Sequence, residues 1–211
     1  MKAITFWGCS AWLAMLLVTA SAAQPSDLIL PGAWGWAAAT PGGRGGQILR
    51  VTNLRASGPG SLREALEAEG PRIVVFEVGG VIDLGKSTMS IKNPYVTVAG
   101  QTAPTPGITI IKGGIGIQTH DVILQHLRVR PGEAGAAKRS GWEVDAIATS
   151  GGAHDVVIDH CSTSWATDEN LSASGERFSG ATVEEWRKGT SHRVTISHCI
   201  IAEGLDHSTH G

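Results

Sequence analysis

Two short runs carry oxygen donors at spacings that suit a hard cation: Glu143-Val144-Asp145 and Asp168-Glu169-Asn170. Glu143 and Asp145 are two apart, so on an extended segment both point to one face. Carboxylates and an amide carbonyl, without thiolate or imidazole, form the donor set of Ca²⁺, which takes about six to eight oxygens. The same acids also fit a plain solvated edge, since Asp and Glu are mostly exposed.

A second group invites transition-metal chemistry. The stretch HDVVIDHC, residues 154–161, holds two His, two Asp and a Cys. It recurs, however. YVTVAGQ from Tyr95, DVILQHL from Asp121, DVVIDHC from Asp155 and RVTISHC from Arg193 align, with starts 26, 34 and 38 residues apart. His120, His154 and His192 share one phase of the repeat, and His126, His160 and His198 share another. Stacked rungs lie about 4.8 Å apart, whereas zinc needs ligands converging at about 2.0–2.3 Å. The histidines are therefore read as structural ladders. Cys161 and Cys199 occupy the phase of Leu127 and read as buried thiols. A disulfide between neighbouring rungs is the alternative, because its Cα separation is tolerated.

The elements that position these residues follow from the same repeat. Each aligned segment alternates with a period of two, as a half-buried strand does. The connections carry Gly-rich turns and further short strands, GITIIKGGIGIQ and VDAIATS, rather than crossover helices. Such coils can bury a core only by stacking on one another. The fold class predicted is all-β, a parallel β-helix, right-handed by the general rule for parallel crossovers. A hairpin-based sandwich is disfavoured, since no Asn-Gly or Asp-Gly dipeptide occurs. Ser61–Glu69 predicts a short N-terminal capping helix with Ser61 and Glu64 as its capping box. The coils are then expected to begin at RIVVFEVGGVIDL, Arg72–Leu84. The polar run 174–188, with Trp186, is expected to be an inserted loop.

Residues 1–23 have the make-up of a signal peptide: Lys2, an apolar run from Ala11 to Val18, then Ala20-Ser21-Ala22. The apolar run is shorter than the roughly 20 residues of a membrane span. A secreted protein, extracellular or periplasmic, is expected, with no membrane partner. A net charge of −2 and the lack of a basic stripe argue against nucleic acid. A monomer is expected.

The runs AAATPGGRGGQILRVTNLRASGPGSLREAL, PRIVVFEVGGVID, PYVTVAGQTAP, VDAIATS, VVIDHCSTSWATDENLS and VTISHC resemble the pectate lyases of polysaccharide lyase family 1 over residues 24–211. The resemblance implies a right-handed parallel β-helix that cleaves α-1,4-linked polygalacturonate, the pectin backbone, by calcium-assisted β-elimination. It matches the family's calcium acids to Glu143, Asp145 and Asp168, with Glu143 standing for the usual Asp. A further family acid falls on Ser172, a departure for which Glu169 or Asn170 would have to substitute. Asp159 matches a structural position. Arg128 and Arg130 are candidates to bind a uronate carboxylate through paired hydrogen bonds, and Trp142 and Trp165 are candidates to line a sugar cleft. The family's proton-abstracting Arg would lie beyond Gly211, so the chain is expected to be the N-terminal portion of a longer β-helix. The reading from another class is a non-catalytic β-helix, either a carbohydrate-binding module or an inactive lyase fragment. A polygalacturonase would need paired catalytic aspartates instead.

Overall fold

The computed structural model describes residues 34–175 and 180–209. The signal-peptide segment, residues 1–23 with Cys9, lies outside the described residues.

Fifteen short strands among the described residues form three parallel sheets, and each coil adds one strand to each sheet in turn. The first rung is β2 (Arg72–Phe76), β3 (Gly80–Asp83) and β4 (Met89–Ile91). The second is β5 (Val96–Ala99), β6 (Ile108–Ile111) and β7 (Ile115–Ile117). The third is β8 (His120–Gln125), β9 (Leu127–Arg130) and β10 (Ile147–Thr149). The fourth is β11 (His154–Asp159), β12 (Ser162–Thr163) and β13 (Leu171–Ala173), and the fifth holds β14 (His192–Ser197) and β15 (Ile200–Ile201). This is the right-handed parallel β-helix that the repeat predicts.

Register follows the sequence alignment. Val96, Val122, Val156 and Val194 stand in one column. Val74, Val98, Leu124, Ile158 and Ile196 form a second, which points inward. The first four of these are fully buried, whereas Ile196 on the fifth rung is 41% exposed. Each rung thus covers the apolar face of the one before it, which is what stabilises coils too short to fold alone. The ends of the main strands are set by residues in the left-handed backbone region. His126, His160 and His198 have φ of 53°, 52° and 52° at the corner that leads to the next sheet. Few non-Gly residues adopt that conformation, Asn, Asp and His being the enriched ones.

Two features lie beyond the expected coils. A strand, β1 (Gln47–Val51), pairs with β2 and starts the six-stranded sheet one rung earlier than Arg72. Its outer residues are exposed, so its apolar signal is weak. The insertion after β13 holds a helix, α2 (Val183–Gly189), where sequence reading expected a loop. Thr182 and Glu185 form its capping box, and a bridge between Gly175 and Thr190 closes its base.

The N-terminal helix, α1 (Leu62–Glu67), forms as predicted and ends two residues sooner. Ser61 accepts a hydrogen bond from the Glu64 amide, and the Glu64 carboxylate accepts one from Gly60. Leu62, Ala65 and Leu66 close the core at this end. Arg72 completes the cap. Its fully buried guanidinium donates to the carbonyls of Ala65, Leu66 and Gly70, and to Asn93 and Pro94 of the next coil. The charge therefore sits against the negative end of the helix dipole.

Residues 34–46 run as a strap along the outside of the six-stranded sheet. Ala37 packs on Ile123 and Val157 and donates to the Thr195 hydroxyl, while Gly43 donates to Thr97. A Cβ at Gly43 would stand 1.9 Å from the Arg72 carbonyl oxygen, so only glycine allows the strap this close. No helix among the described residues is long and apolar enough to cross a membrane.

Candidate metal centre

The acids are presented where two rungs approach β10 and β13. The Asp168 amide donates to the Val144 carbonyl (3.4 Å) and the Ala146 amide to the Glu169 carbonyl (3.1 Å), so the two runs lie side by side on adjacent rungs. Val144 and Ala146 are buried, which turns Asp145 between them outward. The loop behind is pinned by hydroxyls. Thr167 accepts from the Val144 amide and donates to the Trp142 carbonyl, which also accepts from Thr209. Nothing in the residue types announces that role for Thr167, because a loop threonine has many fates.

Carboxylate oxygens of Asp145, Asp168 and Glu169 lie within 4.8 Å of one another. The Glu169 amide donates to Asp145 Oδ1 (3.0 Å), and the Ser172 hydroxyl to Asp145 Oδ2 (2.6 Å). Of the sequence candidates, the structure joins Asp145, Asp168 and Glu169. Glu143 stands outside this group. Asn170 is spent elsewhere: its side chain accepts from the Ala166 amide and donates to the Ala202 carbonyl, tying the fourth rung to the fifth.

Three acids this close repel. A hydrogen bond to Asp145, loss of water, and the charges of Asp145 and Asp168 together push the Glu169 carboxyl up to about 7. The cluster can therefore hold a shared proton or a cation, but not three bare charges without cost.

Arg128 and Arg130 lie on β9, in a different sheet from β10 and β13. Arg128 donates to Thr109 Oγ1 (2.9 Å) and to the Pro106 carbonyl. Arg130 donates to the hydroxyl and carbonyl of Ser162, with its guanidinium carbon 5.8 Å from the Trp165 ring centroid. Trp165 is half-exposed and donates to Glu203 (2.6 Å), and Trp142 donates to the Gly132 carbonyl.

Over 186 residues the chain is 40% identical to a protein of Emericella nidulans named probable pectate lyase C, covering 87% of this chain and 39% of that one. Over 204 residues it is 38% identical to a protein of the same name from Aspergillus fumigatus, covering 96% of this chain and 43% of that one. The chain is a relative of the pectate lyases. It spans about two fifths of the length of these curated relatives. No family model matches the chain. The crystal structure of jun a 1, the major allergen from cedar pollen, shares the fold, with a TM-score of 0.59 at 19% identity over 82% of this chain and 58% of that one.

Set against the pectate-lyase resemblance, Ser172 is the position of interest. Where the resemblance implies a further acid, this chain places a hydroxyl bound to Asp145. The site therefore carries one carboxylate fewer, while Glu169, next to Asp168 in sequence, brings one in.

The histidines form the two ladders expected. The rings of His120, His154 and His192 stack at 5.0 and 4.9 Å, and those of His126, His160 and His198 at 4.7 Å. Asp159 anchors the second ladder. Its two oxygens accept from His160 Nδ1 (2.8 Å), His198 Nδ1 (3.0 Å), Ser197 Oγ (2.8 Å) and Gln125 Nε2 (3.2 Å). Burial alone would raise this carboxyl, but those four hydrogen bonds outweigh it and hold it well below the usual range. Every acceptor direction of Asp159 is thus engaged in joining three rungs.

Proposed function

We propose that this chain forms the calcium-binding part of a secreted pectate lyase that cleaves α-1,4-linked polygalacturonate by β-elimination. The observation that carries the reading is the convergence of Asp145, Asp168 and Glu169 on adjacent rungs of a β-helix related to the pectate lyases. The donor set fits calcium: all three groups offer hard oxygen, and the repulsion that raises Glu169 is what a divalent cation relieves. Asp145, Asp168 and Glu169 would hold the ion. Bound there, calcium supplies positive charge that favours loss of the C5 proton of a uronate.

The protein's own contribution is placement. Asp145 is fixed by the Glu169 amide and the Ser172 hydroxyl, so its carboxylate is oriented before any ion arrives. The elimination breaks the C4–oxygen bond as the C5 proton leaves, and it consumes no water, so no glycosidase acid pair is called for. The proton-abstracting base is assigned to no described residue. Arg128 and Arg130 would take substrate carboxylates only by exchanging their present partners on the neighbouring sheet.

The test is incubation with polygalacturonate at alkaline pH, with calcium or a chelator, following the ultraviolet absorbance of the unsaturated product. Calcium-dependent growth establishes the lyase. Polygalacturonate binding without product, from this chain and from any longer product of its gene, would instead support the non-catalytic module. Asp145→Ala and Asp168→Ala should each weaken calcium binding at least tenfold by titration calorimetry, the loss expected when a charged ligand is removed from a small oxygen site. Unchanged affinity in both removes the assignment.

A further inference from the structure

Cys161 and Cys199 fall outside the acid cluster and the histidine ladders. They occupy equivalent positions on the fourth and fifth rungs, each immediately before the paired residues Ser162 and Ile200. The Ile200 amide donates to the Cys161 carbonyl at 3.0 Å, so the two cysteines are neighbours in the parallel ladder. Adjacent strands run about 4.7–4.9 Å apart, inside the roughly 4.4–6.8 Å Cα range that a disulfide accepts. Each thiol sits between its own rung and the preceding one: Cys161 Sγ lies 3.5 Å from the Asp159 carbonyl oxygen and 3.8 Å from that of Leu124, and Cys199 Sγ 3.2 Å from that of Ser197 and 3.5 Å from that of Ile158. Cys199 Sγ is thus within reach of the rung that carries Cys161. Cys161 is buried, whereas Cys199 is partly accessible.

We propose that Cys161 and Cys199 form a reactive dithiol that closes to a disulfide by exchange with a small-molecule disulfide, stapling the fourth rung to the fifth. Cys199 is the attacking sulfur because solvent reaches it. Its thiolate attacks one sulfur of a compound such as oxidised glutathione, whose S–S bond breaks and releases one thiolate, leaving a mixed disulfide on Cys199. The Cys161 sulfur then attacks Cys199, the second glutathione leaves, and it takes the Cys161 proton. Two protein thiols are oxidised and one small disulfide is reduced to two thiols. The electrostatics agree with Cys199 as the first attacking sulfur, and capping Cys199 removes the hydrogen bond that holds Cys161 up. The hydrogen bond from Cys161 holds Cys199 down at about 7 although burial opposes it, and that same hydrogen bond together with burial pushes Cys161 up.

The experiment incubates the folded full chain with oxidised glutathione, quenches with an alkylating agent and maps the unreduced peptides by mass spectrometry. The expected result is a Cys161–Cys199 linked peptide, with both thiols lost together and no lasting glutathione adduct. Cys161→Ser should trap glutathione on Cys199, and Cys199→Ser should leave Cys161 unmodified. Both wild-type cysteines recovered as alkylated thiols would overturn the proposal. So would a stable glutathione adduct on wild-type Cys199, or a link from either residue to Cys9. The wild-type map decides the matter even if a variant fails to fold.

Discussion

Two acids on adjoining faces of this molecule are pushed in opposite directions, and each yields a measurement. Asp159 is depressed by the hydrogen bonds of His198, His160, Ser197 and Gln125 acting against its burial. A depressed carboxyl contributes stability that is present above its unfolded pKa, near 3.8, and is lost as pH falls through the folded value. Asp159→Asn should therefore cost about 2 kcal/mol at neutral pH, the worth of charge-assisted hydrogen bonds. The difference should shrink steadily below pH 3.8 in urea melts followed by circular dichroism. Glu169 is the reverse case, raised to about 7 by Asp145, desolvation and Asp168. At the proposed site, calcium would have to displace its proton, so proton release should be clear near pH 6 and fade well above about 7. Calorimetry in buffers of differing ionisation enthalpy reads this directly, and a pH-independent proton count would remove Glu169 from the site. Asp145 and Asp168 are legible in sequence because the repeat gives no reason for an acid there. The role of Thr167 is not, since a hydroxyl that pins two backbone segments looks like any other loop threonine.

At the scale of the elements, the N-terminal cap rests on Arg72. Five carbonyls accept from one guanidinium, and burial lowers its pKa. Arg72→Met keeps much of the volume but strands those carbonyls, and should lower stability by about 3–5 kcal/mol, the cost of breaking a buried charged network. Chemical denaturation checks it, and a loss under about 1 kcal/mol, the worth of a single ordinary hydrogen bond, would mean that water replaces the side chain freely. The strands are readable because a period of two survives in each copy and a His recurs in the last three. The β1 strand was not, because an exposed edge strand needs little apolar pattern. The α2 helix escaped because none of its residues is buried, leaving only the Thr182–Glu185 cap as its mark.

For the whole molecule, neighbour-to-neighbour stacking makes stability a sum over adjoining rungs. Protection from hydrogen exchange should therefore be greatest in β2, β5, β8 and β11, which have a paired strand on either side, and least in β14 and β15, where Ile196, Ile200 and Ile201 are exposed. Uniform protection across the six-stranded sheet would contradict this additive picture. The left-handed corners at His126, His160 and His198 carry a different consequence. They hold the join between the first two strands of their own coils to one or two residues, so the difference between the repeat spacings of 34 and 38 falls in the later connections, whereas the 26-residue coil joins Ala99 to Ile108 through eight residues. Insertions and deletions can accumulate there, beside the acids, without shifting the phase of any rung. The architecture thus lets a lineage vary the surroundings of its site while the stacked frame is inherited unchanged.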